Sequence, residues 1–240
     1  MAARRNGGYT MDMTHYPRRI DGEVYFCGFS SEKSYGAQSY FIRHPDGNWM
    51  TDAPRFVPEL ADRIEELGGL RWIFLTHRDD VADADLYAER FKARRIIHEA
   101  DLDAQPSAEI VLRGADTSAP APGFTIIPVP GHTRGHCVLL YQDKYLFTGD
   151  HLEGDEKTGR LGAFRDYCWY DWTEQTRSME RLLDFRFEWI LPGHGGRLHL
   201  HSGRMHEELA ALVERMSGKK LSRERAATTG RPDSAAPGKS

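Results

Sequence analysis

Short apolar runs alternate with helical periodicity through the middle of the chain. Runs typical of β-strands lie at 23–26, 38–42, 49–52, 71–75, 95–98, 124–128, 137–141, 145–147 and 189–191. Apolar residues recur every three or four positions at 56–67, 83–91, 173–183 and 206–216, which predicts amphipathic helices there. The early strands follow one another directly, whereas the later ones alternate with helices. This order predicts an α+β protein in which two sheets pack face to face between outer helices, a four-layer αββα sandwich.

Both ends of the chain lack this pattern. We predict a flexible N-terminal tail at 1–16, one folded domain at 17–216 and a disordered basic tail at 217–240. The last segment is rich in Lys, Arg, Ser, Gly, Pro and Ala, so it cannot bury enough apolar surface to offset the entropy lost on ordering. The 240 residues suffice for one such domain with a sizeable core.

Composition excludes several classes of protein. The formal net charge is −4 and no basic stripe lies in the folded part, so nucleic-acid binding is not expected. No apolar run is long enough for a membrane span, and no secretory signal is evident at the N-terminus. Three widely spaced cysteines suit reduced thiols better than disulfides. We therefore expect a cytoplasmic protein that acts on a small molecule, and the sequence leaves its oligomeric state open.

Groups with metal-binding lone pairs follow four of the predicted strands. The four segments read THRDDVAD at 76–83, PGHTRGH at 130–136, TGD at 148–150 and LPGHG at 191–195. They place His77, His132, Asp150 and His194 at strand ends. Loops at the ends of rigid strands can hold such side chains convergently. Three histidines and several carboxylates in these positions predict a metal site.

These four segments, in this order, resemble the metallo-β-lactamase fold superfamily. The likeness covers roughly 22–195 and includes WMTD at 49–52, which looks like the family's early strand ending in an acidic residue. The resemblance implies the αββα sandwich, with the metal site at one edge between the sheets. The superfamily includes thioester hydrolases of the glyoxalase II kind, lactonases, lactamases, nucleases and iron-dependent oxygenases.

The first segment departs from the family's HxHxDH motif. An alignment on His77 puts Asp79 where the second histidine belongs. Val81 then stands in the aspartate position and Ala82 in the position of the last histidine. The first motif therefore keeps one of its three imidazoles, and the number of ions becomes an open matter.

In this alignment the two metal sites of the family keep different numbers of ligands. The first site keeps His77, His132 and the bridging Asp150, with Asp79 replacing one imidazole. The second site keeps only Asp150 and His194. Even open catalytic zinc sites usually have three protein ligands, so the resemblance favours one ion over two.

Other paths of the first loop stay open. Asp80 or Asp83 could complete the second site if the loop departs from the family's path. Asp83 also directly precedes a predicted helix, where its carboxylate would cap the first turn. Asp79 is a candidate ligand or general base, and its alternatives are a solvated carboxylate or a partner of a ligating histidine.

The remaining histidines and one aromatic run are weaker candidates. We expect His136 and His151 to lie behind the ligands, whereas His98 either lines the cleft or is satisfied within its own loop. Three histidines near the C-terminal helix are expected at the surface: His199, His201 and His206. The run YCWYDW at 167–172 forms either one wall of a substrate pocket or part of the core.

Together with these residues, the resemblance implies metal-dependent hydrolysis of a small thioester, lactone or ester by a metal-activated water. Asp150 would ligate the ion or orient the water, and Asp79 would serve as ligand or base. One ion is expected, zinc ahead of iron. His77 and His132 with a carboxylate also form the two-histidine, one-carboxylate pattern of non-haem iron. Since the superfamily that the chain resembles includes iron-dependent persulfide dioxygenases, an iron oxygenase of a small thiol or persulfide is one alternative. A pseudoenzyme that keeps the fold for binding is another.

Overall fold

The computed structural model describes residues 16–221. Most of the two predicted tails, 1–15 and 222–240, therefore lies outside the described residues. Tyr16 packs edge-on against Phe26 and Phe29, and the last helix continues through Ser217. Within 16–221, no helix is both long enough and apolar enough to cross a membrane.

The first sheet contains seven strands in chain order. They are β1 (Arg18–Asp21), β2 (Val24–Phe26), β3 (Tyr40–Ile42), β4 (Trp49–Thr51), β5 (Trp72–Phe74), β6 (Arg94–His98) and β7 (Ile110–Leu112). Strands β1 to β4 pair antiparallel, whereas β4 to β7 pair parallel. Parallel neighbours need crossover connections, and two of these contain α1 (Pro58–Glu66) and α2 (Ala84–Phe91).

The second sheet contains five strands in the order β14-β13-β10-β9-β8. They are β8 (Phe124–Pro128), β9 (Cys137–Tyr141), β10 (Tyr145–Gly149), β13 (Trp189–Pro192) and β14 (Leu198–His199). A separate hairpin, β11 (Glu153–Asp155) with β12 (Arg160–Gly162), follows β10. Helix α3 (Trp172–Leu182) crosses between the parallel strands β10 and β13, and α4 (Ser202–Ser217) ends the described chain.

Three apolar clusters divide the molecule into layers. The middle cluster joins the facing sides of the two sheets and includes Phe74 and Phe147. A second cluster packs α1 and α2 onto the outer side of the first sheet, with Leu60 and Tyr87 at its centre. The third packs α3 and α4 onto the second sheet, around Met179. The predicted α+β, four-layer αββα sandwich is thus confirmed.

The sheet directions bring the four candidate segments to one edge. Strands β8 and β10 are both antiparallel to β9, and β10 is parallel to β13. The carboxyl ends of β8, β10 and β13 therefore meet at the same edge of the second sheet. The amide of Cys137 donates a hydrogen bond of 2.8 Å to the carbonyl of Thr76. This bond joins the start of β9 to the end of β5, so the His77 loop from the first sheet reaches the same edge.

Candidate metal centre

Asp150 lies at the centre of the site. Its Oδ2 atom is 3.7 Å from Nε2 of His77, 3.6 Å from Nε2 of His132 and 3.8 Å from Nε2 of His194. The four side chains follow β5, β8, β10 and β13, the strands whose ends meet at this edge. The structure therefore brings together the four residues that the sequence singled out, with one carboxylate positioned to be shared.

Two groups of donors meet at this carboxylate. The first donor group consists of His77, His132 and Asp150, and the second of Asp80, Asp150 and His194. Within each group the donor atoms lie within 4.8 Å of one another. Asp79 borders the first donor group, because its Oδ2 is 3.6 Å from Nε2 of His132 and 3.9 Å from that of His77.

Asp80 completes the second donor group. Its side chain is fully buried, and its Oδ1 lies 3.9 Å from Nε2 of His194. The family motif has its second-site ligands at the positions of Val81 and Ala82, which carry no donor atoms, so the alignment gave this group only two ligands. The chain instead supplies a carboxylate one residue earlier, and Ala82 takes a left-handed backbone with φ of 33° as the loop turns towards α2. The second group thus has three protein donors.

Asp83 turns away from the site. Its carboxylate pairs with the ammonium of Lys33 and accepts a hydrogen bond of 2.8 Å from the amide of Phe56. It stands at the N-cap position of α2 but makes no side-chain capping bond, so the predicted capping role is wrong. These two contacts lower the pKa of Asp83 against the opposing effect of burial, which is the largest single influence on it.

The donor atoms of both groups have buried lone pairs without a hydrogen-bond partner among the described residues. They are Nε2 of His77, Nε2 of His132, both carboxylate oxygens of Asp80 and Oδ1 of Asp150. Burial, followed by the repulsion of nearby carboxylates, raises the pKa of Asp80, and burial also raises that of Asp150. Burial lowers the pKa of His77, and the neighbouring His132 lowers it further. Unpaired buried polar groups cost roughly 1–3 kcal/mol each, and bound cations would remove this cost, so the residues present fit transition-metal ions.

A hydrogen-bonded chain fixes the tautomer of His77. Asp52, at the end of β4, accepts bonds from the amide of Thr76 at 2.8 Å and from its hydroxyl at 2.9 Å. With the Asp52 carboxylate ionised, the hydroxyl donates its single proton to that carboxylate and therefore accepts from Nδ1 of His77 at 3.0 Å. The lone pair of His77 is therefore on Nε2, the atom that faces Asp150.

Gly193 makes room for the two carboxylates of the second donor group. A Cβ atom at this position would lie 2.6 Å from Oδ2 of Asp80 and 2.8 Å from Oδ1 of Asp150. Contacts this short do not occur between real Cβ atoms and oxygens, so any other residue would push the carboxylates away. The glycine in LPGHG is therefore part of how the site is built.

A row of imidazoles lies behind the first donor group, as expected for His136 and His151. The ring of His136 stacks on that of His77 at 4.8 Å, and the ring of His151 follows at 5.4 Å. Both are fully buried, with no hydrogen-bond partner for their ring nitrogens among the described residues. Burial lowers the pKa of His136 and lowers that of His151 to about 3, so both rings are neutral.

The other histidines that the sequence singled out lie outside the site. His98 accepts a bond from the amide of Ala100 and its Nε2 contacts the carbonyl of Gly114, so it is satisfied within its own loop. His199 is exposed, and its ring stacks on Trp189 at 4.4 Å. His201 is exposed at the start of α4, as predicted, whereas His206 is buried. The predicted surface position of His206 is wrong because α4 begins earlier, at Ser202, and turns this residue inward.

Sequence reasoning missed Asp101. Its buried carboxylate accepts bonds from the hydroxyl of Thr133 at 2.5 Å, the amide of Gly135 at 3.1 Å and the amide of Arg78 at 3.2 Å. Arg78 directly follows His77, and Thr133 directly follows His132. One carboxylate thus ties together the two loops that carry the imidazoles of the first donor group. Nothing in the segment HEADLD signalled this, because its partners are distant in sequence.

An open cleft of about 1180 Å³ lies over the donor groups. Its floor includes Asp79, His132, Asp150 and His194. Four aromatic side chains that are close in sequence line one part of the cleft: Phe164, Tyr167, Trp169 and Tyr170. Tyr35, which is distant from them in the chain, lines the same cleft. The amides of Trp169 and Tyr170 both donate to the carbonyl of His132, at 3.0 and 3.1 Å. The aromatic run therefore forms a wall of the cleft rather than part of the core.

Comparisons with known proteins agree with this geometry. The family model described as the metallo-beta-lactamase superfamily matches residues 19–213. A hydroxyacylglutathione hydrolase from Acidiphilium cryptum is 32% identical over 126 residues, which cover 48% of each chain. The chain spans about half the length of the curated relatives it matches.

Solved structures of the same fold include two that were obtained with metal. The metallo-beta-lactamase FIM-1 from Pseudomonas aeruginosa, in its mono-zinc form, matches with a TM-score of 0.60 at 18% identity, over 83% of this chain and 94% of that one. TTHA1623 in a di-iron-bound form matches with a TM-score of 0.53 at 23% identity, over 68% of this chain and 90% of that one. These likenesses show the fold.

Proposed function

We propose that this chain, which belongs to the metallo-beta-lactamase superfamily, is a metal-dependent hydrolase of a small thioester, lactone or ester. The observation that carries the proposal is the pair of donor groups, whose unpartnered nitrogen and oxygen atoms converge on the floor of an open cleft. Drift towards a non-catalytic scaffold would have no reason to retain the five side chains of these groups around one point. The likeness to a hydroxyacylglutathione hydrolase supports a thioester among the candidate substrates.

Each donor group offers enough ligands to hold an ion. The first supplies two imidazoles and the Asp150 carboxylate, with Asp79 beside them, and the second supplies Asp80, Asp150 and His194. Three protein ligands with room for water are typical of catalytic zinc sites. We therefore propose two ions rather than the single ion expected from the motif. Imidazole and carboxylate donors without a thiolate suit both zinc and iron, and zinc is proposed first.

Bound ions at these donors would supply a polarised water at neutral pH and positive charge beside the substrate carbonyl. The protein's own side chains position the two donor groups and move a proton. Asp150 holds the two groups in register, since its Oδ2 lies within 3.8 Å of all three ligating imidazoles. Asp79 has 29% of its side chain exposed to the cleft, so it can receive a proton from the attacking water and release it to solvent.

Metal analysis of the purified protein, combined with assays of small thioesters, lactones and esters, tests this proposal. We expect about two equivalents of transition metal per chain, and hydrolysis that a chelator abolishes. His132→Ala should lose metal and lower kcat/KM by at least about 100-fold, since even residues behind a metal ligand are worth 10–100-fold. The matched control is His199→Ala, which removes an exposed imidazole outside the site.

Two results would overturn the proposal. One is well under one equivalent of any transition metal in protein purified without chelator and reloaded with zinc or iron. The other is a His132→Ala variant with unchanged metal content and unchanged activity, which would favour a binding scaffold. Oxygen uptake with small thiols after anaerobic loading of iron, in the absence of any hydrolysis, would favour an iron oxygenase instead.

A further inference from the structure

We propose that the substrate of this site is an anionic acyl compound with an aromatic or extended apolar portion. Arg134 would bind the anionic group, and the aromatic wall of the cleft would bind the apolar portion. This inference rests on the proposed hydrolase function and adds the substrate class to it. Three features of the cleft carry it: an unpaired cation, an exposed aromatic surface and the charge on the floor.

The unpaired cation is Arg134. It lies two residues after His132, lines the cleft and is exposed. It makes no hydrogen bond, ion pair or ring contact with any other residue in 16–221. Arg78, which also lines the cleft, is instead bonded to Asp103 at 2.6 Å. A guanidinium held beside a ligand loop with all five donors free is suited to a carboxylate or phosphate.

The exposed aromatic surface is confined to the same cleft. Of the six large hydrophobic side chains that are exposed within the described residues, five line it, with 50–82% of each side chain accessible. The exception is Leu86. The ring of Tyr167 meets Phe164 and Trp169 edge-on, at 6.1 and 6.3 Å, so three of the five form one continuous surface. Exposed apolar surface of this kind, clustered at a cleft, marks a binding site.

The aromatic wall is attached to the loop that carries the metal ligand His132. Backbone bonds from Trp169 and Tyr170 to the carbonyl of His132 hold the wall against the loop that carries both a ligand and Arg134. The ring of Trp169 lies 6.3 Å from that of His132. A substrate whose carbonyl reaches the donor groups therefore has the wall beside it. The cleft volume of about 1180 Å³ exceeds that of a small ester alone.

The charge on the floor gives the sign of the substrate. The carboxylates of Asp79, Asp80 and Asp150 make the protein's own contribution to the site acidic, but two divalent ions would outweigh their three negative charges. Arg134 then adds to a positive field in the cleft, whose lining also contains Glu153 beside Gly195. An anion is thus attracted towards Arg134 and away from Glu153.

Four thioesters of one thiol, assayed with the metal-loaded protein, test the inference. The acyl groups are acetyl, succinyl, phenylacetyl and 4-carboxyphenylacetyl. We expect the highest kcat/KM for the last. Arg134→Gln should lower kcat/KM about tenfold more for each carboxylated substrate than for its neutral counterpart, as for a charge-assisted hydrogen bond. Trp169→Ala should reduce the preference for phenylacetyl over acetyl. Arg177→Gln, which removes an arginine paired with Glu174 on α3, is the matched control.

A binding measurement separates this inference from the proposed function. The product 4-carboxyphenylacetate should bind the metal-loaded protein in calorimetry, about tenfold more weakly to Arg134→Gln and unchanged to Arg177→Gln. Hydrolysis with equal effects of Arg134→Gln on neutral and carboxylated substrates would overturn the substrate class and leave the hydrolase standing. Absence of hydrolysis with all four thioesters would count against thioester hydrolysis, whereas the calorimetry alone would still decide whether Arg134 binds the anion.

Discussion

The two donor groups share Asp150 but are built in different ways. In the first, the rings of His77 and His132 are 0% and 2% exposed, and that of His77 is held by the Thr76 hydroxyl on one side and stacked on His136 on the other. In the second, His194 is 38% exposed, and its partner Asp80 is a buried carboxylate. The imidazoles of the first group are therefore held in place before any ion binds, by hydrogen bonds and by packing against uncharged side chains.

The second group stores unfavourable electrostatic energy instead. Asp80 is fully buried and the Asp150 side chain is only 15% exposed, and the two are close enough that a Cβ on Gly193 would touch both, so the charge of Asp150 adds to burial in raising the pKa of Asp80. Like charges in a buried site are stabilised only when a cation or protons compensate them. The comparison indicates that the first group would keep its geometry in the metal-free protein, whereas the second depends on its ion.

The strongest test of this difference is Asp80→Asn. We expect one of the two equivalents of metal to be lost and kcat/KM to fall by about 100-fold, since a ligand is removed rather than a residue behind it. The metal-free variant should at the same time be more stable than the metal-free wild type, because the buried Asp80 carboxyl costs free energy whether it stays charged or must take up a proton, whereas Asn is neutral and of the same size. Metal analysis and urea unfolding with and without chelator measure the two effects.

Asp83→Asn is the matched control for that substitution. Asp83 is three residues further along the same loop, but its carboxylate contacts Lys33 and the amide of Phe56. The variant should keep both equivalents of metal and lose stability in both the loaded and the metal-free protein. Equal metal content in Asp80→Asn and Asp83→Asn would show that the second donor group holds no ion.

Asp101→Asn should weaken the first group from outside it. The carboxylate joins the loops of His77 and His132 through Thr133, Gly135 and Arg78. An amide keeps the volume but replaces one acceptor oxygen by a donor, so at least one of these bonds is lost. We expect metal affinity to fall by roughly tenfold, with the affinity of the second group much less affected. A competition titration with a chromophoric chelator measures the two affinities, and equal losses in both groups would contradict a role confined to the first.

The first group was also the one that could be predicted from sequence. His77, His132 and Asp150 lie at the ends of strands whose apolar patterns are clear, so the strand directions alone bring them to one edge. Nine strands and four helices were located in the same way, and the strands that were missed, β1, β7, β11, β12 and β14, are short or lie at sheet edges. Short edge strands bury too little surface to leave a periodic pattern.

The second group and the supports of the first could not be predicted in this way. Whether Asp80, Val81 or Ala82 faces the site depends on the backbone path of one loop, which has no periodicity. Asp101 acts through partners more than twenty residues away for Arg78 and more than thirty for Thr133. Such contacts are fixed by the tertiary fold, and a single sequence does not encode them locally.

The row of neutral imidazoles behind the first group gives a smaller, pH-dependent effect. Burial lowers the pKa of His151 to about 3, whereas the unfolded chain has a histidine pKa of about 6.5. Above pH 6.5 neither state binds this proton. As the pH falls below 6.5 only the unfolded chain binds it, so the folded state loses about 1.4 kcal/mol per pH unit. The free energy of unfolding of the metal-free wild type, relative to His151→Asn, should therefore fall by about 2 kcal/mol between pH 7.5 and pH 5.

Urea unfolding of the two metal-free proteins at both pH values measures this difference. His151→Asn leaves a small cavity, but the cost of the cavity is the same at both pH values and cancels in the comparison. His199→Asn, which changes an exposed histidine stacked on Trp189, shows how much of the change is general to histidine removal. If the difference in free energy of unfolding between the wild type and His151→Asn were the same at pH 7.5 and pH 5, His151 would have to become protonated inside the folded protein. A charged ring would then lie behind the first donor group in acid. The first group would no longer be held by neutral side chains alone, which is what distinguishes it from the second.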